Sequence, residues 1–310
     1  MSTYIPVRKS QVYHYIKTPL FLRNQSGDYI LYKAADTPVD ARRFAADDSP
    51  ELHIAAEMQA SACGELLESL KARLIERIDS GDLKSVKKAL CQIVEEALLA
   101  PDGDNLPALP ETIDILYQEY VKISGLLKSL GDFQSGGQTL VEHSVNVMLL
   151  VMNYGMFNGL AEKKTKQLAL GGLLHDIGLT RIPKKLTEAN RRLTDQEFAT
   201  YKTHPAIGHD IVIENEHIDA SVARGVLEHH ERLDGTGYPR GISNVTFEGR
   251  LFGIIDCFDN LTHTQRLHRK KEDPFGSMKR IQTEILEAGK FDKDLFIELC
   301  LSLLGKNKFS

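Results

Sequence analysis

Apolar positions change period twice along the chain. TYIPV at 3–7, PLFLR at 19–23 and DYILY at 28–32 are short runs rich in β-branched and aromatic residues. An Asn-Gln-Ser-Gly-Asp turn at 24–28 links the last two, which predicts strands in a small module. From about 51 to 100 the spacing becomes helical, through Leu67, Leu70, Leu74 and Ile78 and then Val86, Leu90, Ile93 and Val94. Asp79-Ser-Gly-Asp82 interrupts that pattern, so two connecting helices are expected. Their spacing suits core-facing amphipathic helices first, with the seam of a homodimer as the alternative.

Pro101, Pro107 and Pro110 mark the best boundary before a second, nearly all-helical part. Helices are expected over 111–130, 138–157, 161–176, 194–202, 205–214, 218–231, 246–265, 275–288 and 292–304. The fold class is therefore mainly α: a helical bundle over 106–310, preceded by a small α/β N-terminal module at 1–50 and connecting helices at 51–105.

Composition narrows the function classes. With 42% hydrophobic and 26% charged residues over 310 positions, the chain can bury a sizeable core. Its net charge of −5 lacks the basic excess that drives binding to a nucleic-acid polymer. Cys63, Cys91, Cys257 and Cys300 form no CxxC pair, which suits reduced thiols better than a zinc ribbon or a disulfide framework. The first residues carry no apolar stretch behind their charges, and no window approaches a membrane span, so a cytoplasmic protein without membrane contact is expected.

Histidine is the unusual residue, because nine of eleven fall after position 140. His143 shares a helical stripe with Leu140, Val147 and Leu150 and points inward. His175 and Asp176 arrive together where an apolar helix runs out before Gly178. His204 precedes Pro205, a residue suited to the first turn of a helix. His229 and His230 close an amphipathic helix ahead of the loop ERLDGTGYPRG, and Asp256 stands with Asp259 and His263 beside Leu251, Ile254, Ile255 and Phe258. Taken singly, each has an ordinary reading as a hydrogen-bonded core residue, a cap or a surface stripe. Together, imidazole and carboxylate without thiolate suit iron, manganese, cobalt or zinc. Seven such groups exceed one tetrahedral zinc, so a two-metal centre fits the count.

Four segments in this order resemble the HD-GYP family, the branch of the HD phosphohydrolases that degrades cyclic di-GMP: HDIG at 175–178, His204-Pro205 with Ile207-Gly208, HHERLDGTGYPRG at 229–241, and Asp256 with Asp259-Asn260. The resemblance covers roughly 110–305, and a weaker one links 1–46 to the small module ahead of some members. It implies the HD phosphohydrolase bundle, with His143, His175, Asp176, His204, His229, His230 and Asp256 as metal ligands and Asp176 as the bridging, catalytic carboxylate. Two divalent ions are implied, iron or manganese first, with zinc, cobalt and nickel as alternatives. The glutamate that supports a third ion in some members is Thr139 here, so the expected site is binuclear. Two departures touch the substrate side: the lysine after HDIG is Leu179, and the usual Arg-Pro-Tyr-Arg reads Arg266-Leu267-His268-Arg269.

The expected chemistry is hydrolysis of a cyclic dinucleotide, cyclic di-GMP to pGpG or GMP, by a hydroxide bridging two cations ~3.5–4 Å apart. Arg181, Lys184, Lys185, Arg240, Arg266 and Arg269 are the candidate phosphate-binding cations. Gly237, Tyr238 and Pro239 shape the loop or, like the N-terminal module, meet a protein partner. Hydrolysis of a different phosphodiester, and a metal-loaded sensor without catalysis, stay open as further readings.

Overall fold

The computed structural model describes residues 3–39, 50–99, 108–119, 139–215, 218–263 and 272–305. Four antiparallel strands, β1 (Tyr4–Val7), β2 (Leu20–Arg23), β3 (Tyr29–Lys33) and β4 (Leu52–Ala55), form a sheet in the order β1-β4-β2-β3. The three expected strands are present. The fourth, LHIA, falls where helical spacing was expected to begin. It pairs on both edges, Tyr4 opposite Ala55 and Phe21 opposite His53, and all four of its residues are buried. Pairing on two edges decides the conformation of a run too short to show a period of its own.

Helix α1 (Gln59–Ser80) is fastened to this sheet through its first turns. The Glu65 carboxylate accepts the backbone N–H groups of Ile16, Lys17 and Thr18 at 2.5, 2.6 and 3.0 Å, and the Thr18 hydroxyl at 2.7 Å. Buried Lys33 donates to the carbonyls of Ile16 and Thr18 at 2.8 and 2.9 Å, so the 16–18 loop is gripped from both sides. One compact unit ends at Glu76 and the other begins at Arg77.

The second unit contains α2 (Leu83–Leu99), α3 (Ala108–Gln118), α4 (Leu140–Phe157), α5 (Glu162–Leu174), the short α6 (Lys184–Thr187), α7 (Asp195–Tyr201), α8 (His204–Ile213), α9 (Ala220–Glu228), α10 (Phe247–His263), α11 (Pro274–Ala288) and α12 (Lys293–Leu304). A 3₁₀ turn over Ile177–Arg181 follows α5. Helix α4 is the centre: residues 143–155 are all buried, and α2, α5, α10 and α12 pack around it. Helix α8 lies against the 3₁₀ turn and α9, and α9 lies against α10. Leu67, Leu70, Leu74, Ile78, Val86, Leu90, Ile93 and Val94 are all buried within the chain, as the core-facing reading of that spacing requires.

Thr139 caps α4, accepting the Glu142 N–H, while the Glu142 carboxylate takes the Thr139 N–H in return. That use of Thr139 explains a helix start there and places no carboxylate one turn ahead of His143. Gly178 permits a close approach: a Cβ there would lie 2.0 Å from the His204 carbonyl oxygen and 2.7 Å from the Gly208 nitrogen. No helix among the described residues is long and apolar enough to cross a membrane.

Candidate metal centre

Seven side chains expected to act together converge from five places in the bundle. His143 comes from the first turn of α4, His175 and Asp176 from the end of α5, His204 from the start of α8, His229 and His230 from the end of α9, and Asp256 from the middle of α10. Six of the seven are buried, and His230 is 15% exposed at its side chain. Gly253, one turn before Asp256, lets α10 approach the end of α9: a Cβ there would meet the His229 carbonyl oxygen at 2.4 Å.

The outward nitrogens of four imidazoles are already committed. His175 Nδ1 lies 2.8 Å from the Gly172 carbonyl, His204 Nδ1 2.8 Å from that of Tyr201, and His229 Nδ1 2.6 Å from that of Val226. His143 Nδ1 lies 2.7 Å from the Asp259 carboxylate. Carbonyl and carboxylate oxygens only accept, so each Nδ1 carries a hydrogen, and each ring, when neutral, turns an Nε2 lone pair inward.

Those lone pairs face one another and the carboxylates. His143 Nε2 is 3.2 Å from His175 Nε2, and His204 Nε2 is 3.4 Å from His229 Nε2. Asp176 divides between the two pairs. Its Oδ1 lies 3.1 Å from His204 Nε2 and 3.5 Å from His229 Nε2, and its Oδ2 lies 3.4 Å from His175 Nε2 and 3.6 Å from His143 Nε2. Asp256 Oδ1 is 3.1 Å from His143 Nε2 and accepts a hydrogen bond from the Asn260 amide at 2.6 Å. Its Oδ2 reaches to 3.9 Å from His230 Nδ1.

With the Nδ1 positions protonated, Asp176 Oδ1 is a buried oxygen with no hydrogen-bond donor. Buried acceptors facing acceptors cost free energy unless cations lie among them. Two groupings meet the spacing needed to hold an ion, His143-His175-Asp176 and Asp176-His204-His229-His230, and Asp176 belongs to both. The clustered histidine and aspartate groups thus fit divalent metal binding.

The protein's own field is uneven across the cluster. Burial works against protonated His143, yet the Asp256 and Asp259 carboxylates outweigh it and hold its pKa well above the ordinary value. Burial works the same way at His175, and Asp176 and Asp256 lift it to about 9. At the other end burial prevails: it lowers His229 despite Asp176, and with neighbouring His229 it pushes His230 well down. Burial alone would raise Asp176 and Asp256; the surrounding imidazoles hold both well below the usual carboxylate range.

The loop after His230 forms one wall. The ring of Tyr238 lies 4.6 Å from that of His230, centroid to centroid, and the Tyr238–Pro239 peptide is cis. Two glutamates fasten the loop. Glu231 accepts the backbone N–H groups of Arg240 and Ile242 at 2.7 and 3.0 Å. Fully buried Glu228 accepts the N–H and hydroxyl of Thr246 at 2.8 and 2.7 Å, Arg240 Nη2 at 2.6 Å and Arg224 Nε at 3.1 Å. Gly237 and Pro239 lie on this loop, and Gly237 is packed so closely that a Cβ would meet the Arg232 nitrogen at 2.4 Å.

The expected phosphate-binding cations are distributed differently. Arg181 ends the 3₁₀ turn that leaves Asp176, and Lys184 and Lys185 start α6; all three are exposed. Arg240, expected at the substrate, places its guanidinium on Glu228, a buried carboxylate that requires a cation. Arg266 and Arg269 lie outside the described residues, as does His268. Leu179 is half-buried in the turn. The sequence reading passed over Asp259, Asn260, Glu228 and Glu231 as site-building groups; the signal for the first was its position one turn after Asp256, on the same stripe.

An HD domain family model matches residues 124–295. Among curated relatives, a cyclic di-GMP phosphodiesterase of Pseudomonas aeruginosa is 27% identical over 212 residues, 68% of this chain and 50% of the relative. A cyclic di-GMP phosphodiesterase of Borreliella burgdorferi is 34% identical over 154 residues, 49% of this chain and 39% of the relative. A 3'3'-cGAMP-specific phosphodiesterase of Vibrio cholerae is 27% identical over 197 residues, 63% of this chain and 44% of the relative. The chain therefore spans about half or less of the length of these relatives. A solved HDG"Y"P protein from Bdellovibrio bacteriovorus shares the fold, with a TM-score of 0.60 at 19% identity over 96% of this chain and 98% of that one.

Proposed function

The chain belongs to the HD domain family, and we propose that it is a metal-dependent phosphodiesterase of the HD-GYP branch acting on a cyclic dinucleotide, cyclic di-GMP first among them. The observation that carries this reading is Asp176, whose two oxygens face two different pairs of imidazoles. In this reading His143, His175 and Asp256 hold one divalent ion, His204, His229 and His230 hold a second, and Asp176 serves both. The imidazole and carboxylate donors suit iron, manganese, cobalt or zinc, and the resemblance to HD-GYP proteins puts iron and manganese first. When bound, such ions would supply Lewis-acid activation of a phosphodiester and of water.

The chain's own residues supply position and exclusion. The four Nδ1 hydrogen bonds fix the ring orientations before anything binds, so little reorganisation remains. Asn260 holds the Asp256 carboxylate in place. Tyr238 covers the His230 side with an apolar ring and limits water there. Arg181, Lys184 and Lys185 stand on the segment leaving Asp176 and are the described cations best placed to meet the second phosphate.

Leu179 favours a second reading for the substrate. An apolar side chain one residue past the HDIG segment cannot donate to phosphate, which shifts recognition toward another cyclic dinucleotide; one relative is named for 3'3'-cGAMP. The four free cysteines suit a cytoplasmic setting for either reading. The sheet unit and the 231–246 loop are the surfaces offered to a protein partner.

The test uses the full chain reconstituted with manganese or iron, offered cyclic di-GMP, 3'3'-cGAMP and an aryl phosphodiester in parallel. Cleavage of a cyclic dinucleotide well above the aryl ester supports the proposal. Cleavage of the aryl ester alone overturns the substrate class, and metal-replete protein that cleaves none of the three is a sensor, not an enzyme.

A further inference from the structure

Three of the four fixed imidazoles donate to the carbonyl three residues earlier in their own helix turn, namely Gly172, Tyr201 and Val226. His143 differs. Its Nδ1 hydrogen goes to Asp259, a fully buried carboxylate one helical turn beyond Asp256 on α10, at 2.7 Å. An anionic acceptor withdraws that hydrogen more strongly than a neutral carbonyl, especially where water is excluded, and leaves more electron density on Nε2. Carboxylates are also unequally shared. Asp256 Oδ1 lies 3.1 Å from His143 Nε2, whereas its other oxygen stays 3.9 Å from His230.

We propose that Asp259 makes the two ends of the cluster unequal: as a positioning residue it strengthens His143 as a donor, so the His143-His175-Asp256 end takes the first divalent ion and the His204-His229-His230 end the second. This rests on the two-ion reading above. Ion uptake is then ordered, and at low metal supply the chain holds one ion at the α4–α10 end.

Manganese is the probe. The full chain is stripped with chelator and titrated with Mn²⁺, and free metal is followed by its paramagnetic resonance signal. The wild-type chain gives a tight step and a weaker one. Asp259→Asn keeps the shape but replaces the carboxylate with a neutral amide, and the tight step weakens about 10–100-fold while the weak one moves little. His229→Ala, at the opposite end, removes the weak step and keeps the tight one. The proposal is overturned by a wild-type titration with two equal steps, by Asp259→Asn leaving both steps unchanged or weakening both equally, or by His229→Ala abolishing the tight step. Should Asp259→Asn lose its helical circular dichroism, the His229→Ala titration decides alone. A wild-type chain that binds no manganese sinks the underlying metal reading instead, which separates the two failures.

Discussion

Replacing Glu228 by glutamine isolates what holds the 231–246 loop against the cluster. The carboxylate serves two pairs of donors. Oε2 takes both groups of Thr246, and Oε1 takes the guanidinium groups of Arg240 and Arg224. A carboxamide has one oxygen and one NH₂, so either orientation leaves one pair of donors facing an NH₂. The amide settles with its oxygen on half-buried Thr246. The arginine side chains are 40% and 60% exposed and recover part of their loss in water. Exposed ion pairs are worth about 0–1 kcal/mol each, and a buried charge-assisted bond about 1.5–3 kcal/mol. The expected loss is therefore about 1–3 kcal/mol, rising to about 3–5 kcal/mol in Glu228→Ala, where every donor is abandoned. Denaturant unfolding of the metal-free chain measures the total, and hydrogen exchange locates it, with faster exchange expected at Arg240 and Ile242. A Glu228→Gln loss below about 0.5 kcal/mol with unchanged exchange over 231–246 would refute the claim that this carboxylate anchors the loop.

Other outcomes follow from the same geometry. Gly178→Ala puts a methyl group 2.0 Å from the His204 carbonyl oxygen; a backbone shift costing about 3 kcal/mol and a weakened second metal step are expected, read by melting and by metal titration. For the metal-free chain, His175 is raised to about 9 in the fold and His143 is raised as well, each with carboxylate partners against burial. A raised pKa means protons stabilise the folded form, so that contribution is complete below about pH 6.5 and is lost as pH rises towards 9. Protons and metal compete for the same nitrogens, so metal affinity should rise over the same window. Melting curves with and without chelator should slope in opposite directions with pH, and parallel slopes would contradict the assignment. Asp176→Asn removes the charge and replaces one of the two oxygens shared by the two groupings with an NH₂ donor, and metal content should fall below one ion per chain by elemental analysis while far-ultraviolet circular dichroism is kept.

The helical periods at 143–157 and 246–263 were readable because core faces impose them, and the candidate site could be assembled from order along the chain because each candidate ligand stands at a helix start, a helix end or an inward face. What escaped has a physical reason in each case. The strand Leu52–Ala55 is held by pairing partners 45–51 and 30–32 residues distant, which local spacing does not carry. Arg240 was expected at the phosphate as a cation near the mouth of the site; only the fold brings Glu228, twelve residues earlier, onto its guanidinium. Asp259 was visible on its stripe, but its partner His143 lies 116 residues away. Residue types announce the metal-facing side, whereas the groups that orient it act through distant contacts.

The central claim, a two-ion phosphodiesterase centre organised by Asp176, is tested most directly by mass analysis of cyclic di-GMP incubated with the manganese-loaded full chain. The account predicts a linear dinucleotide one water heavier than the substrate, absent after chelation and absent with Asp176→Asn. Metal-replete protein that leaves the cyclic dinucleotide intact, or Asp176→Asn that cleaves it at the wild-type rate, would contradict it.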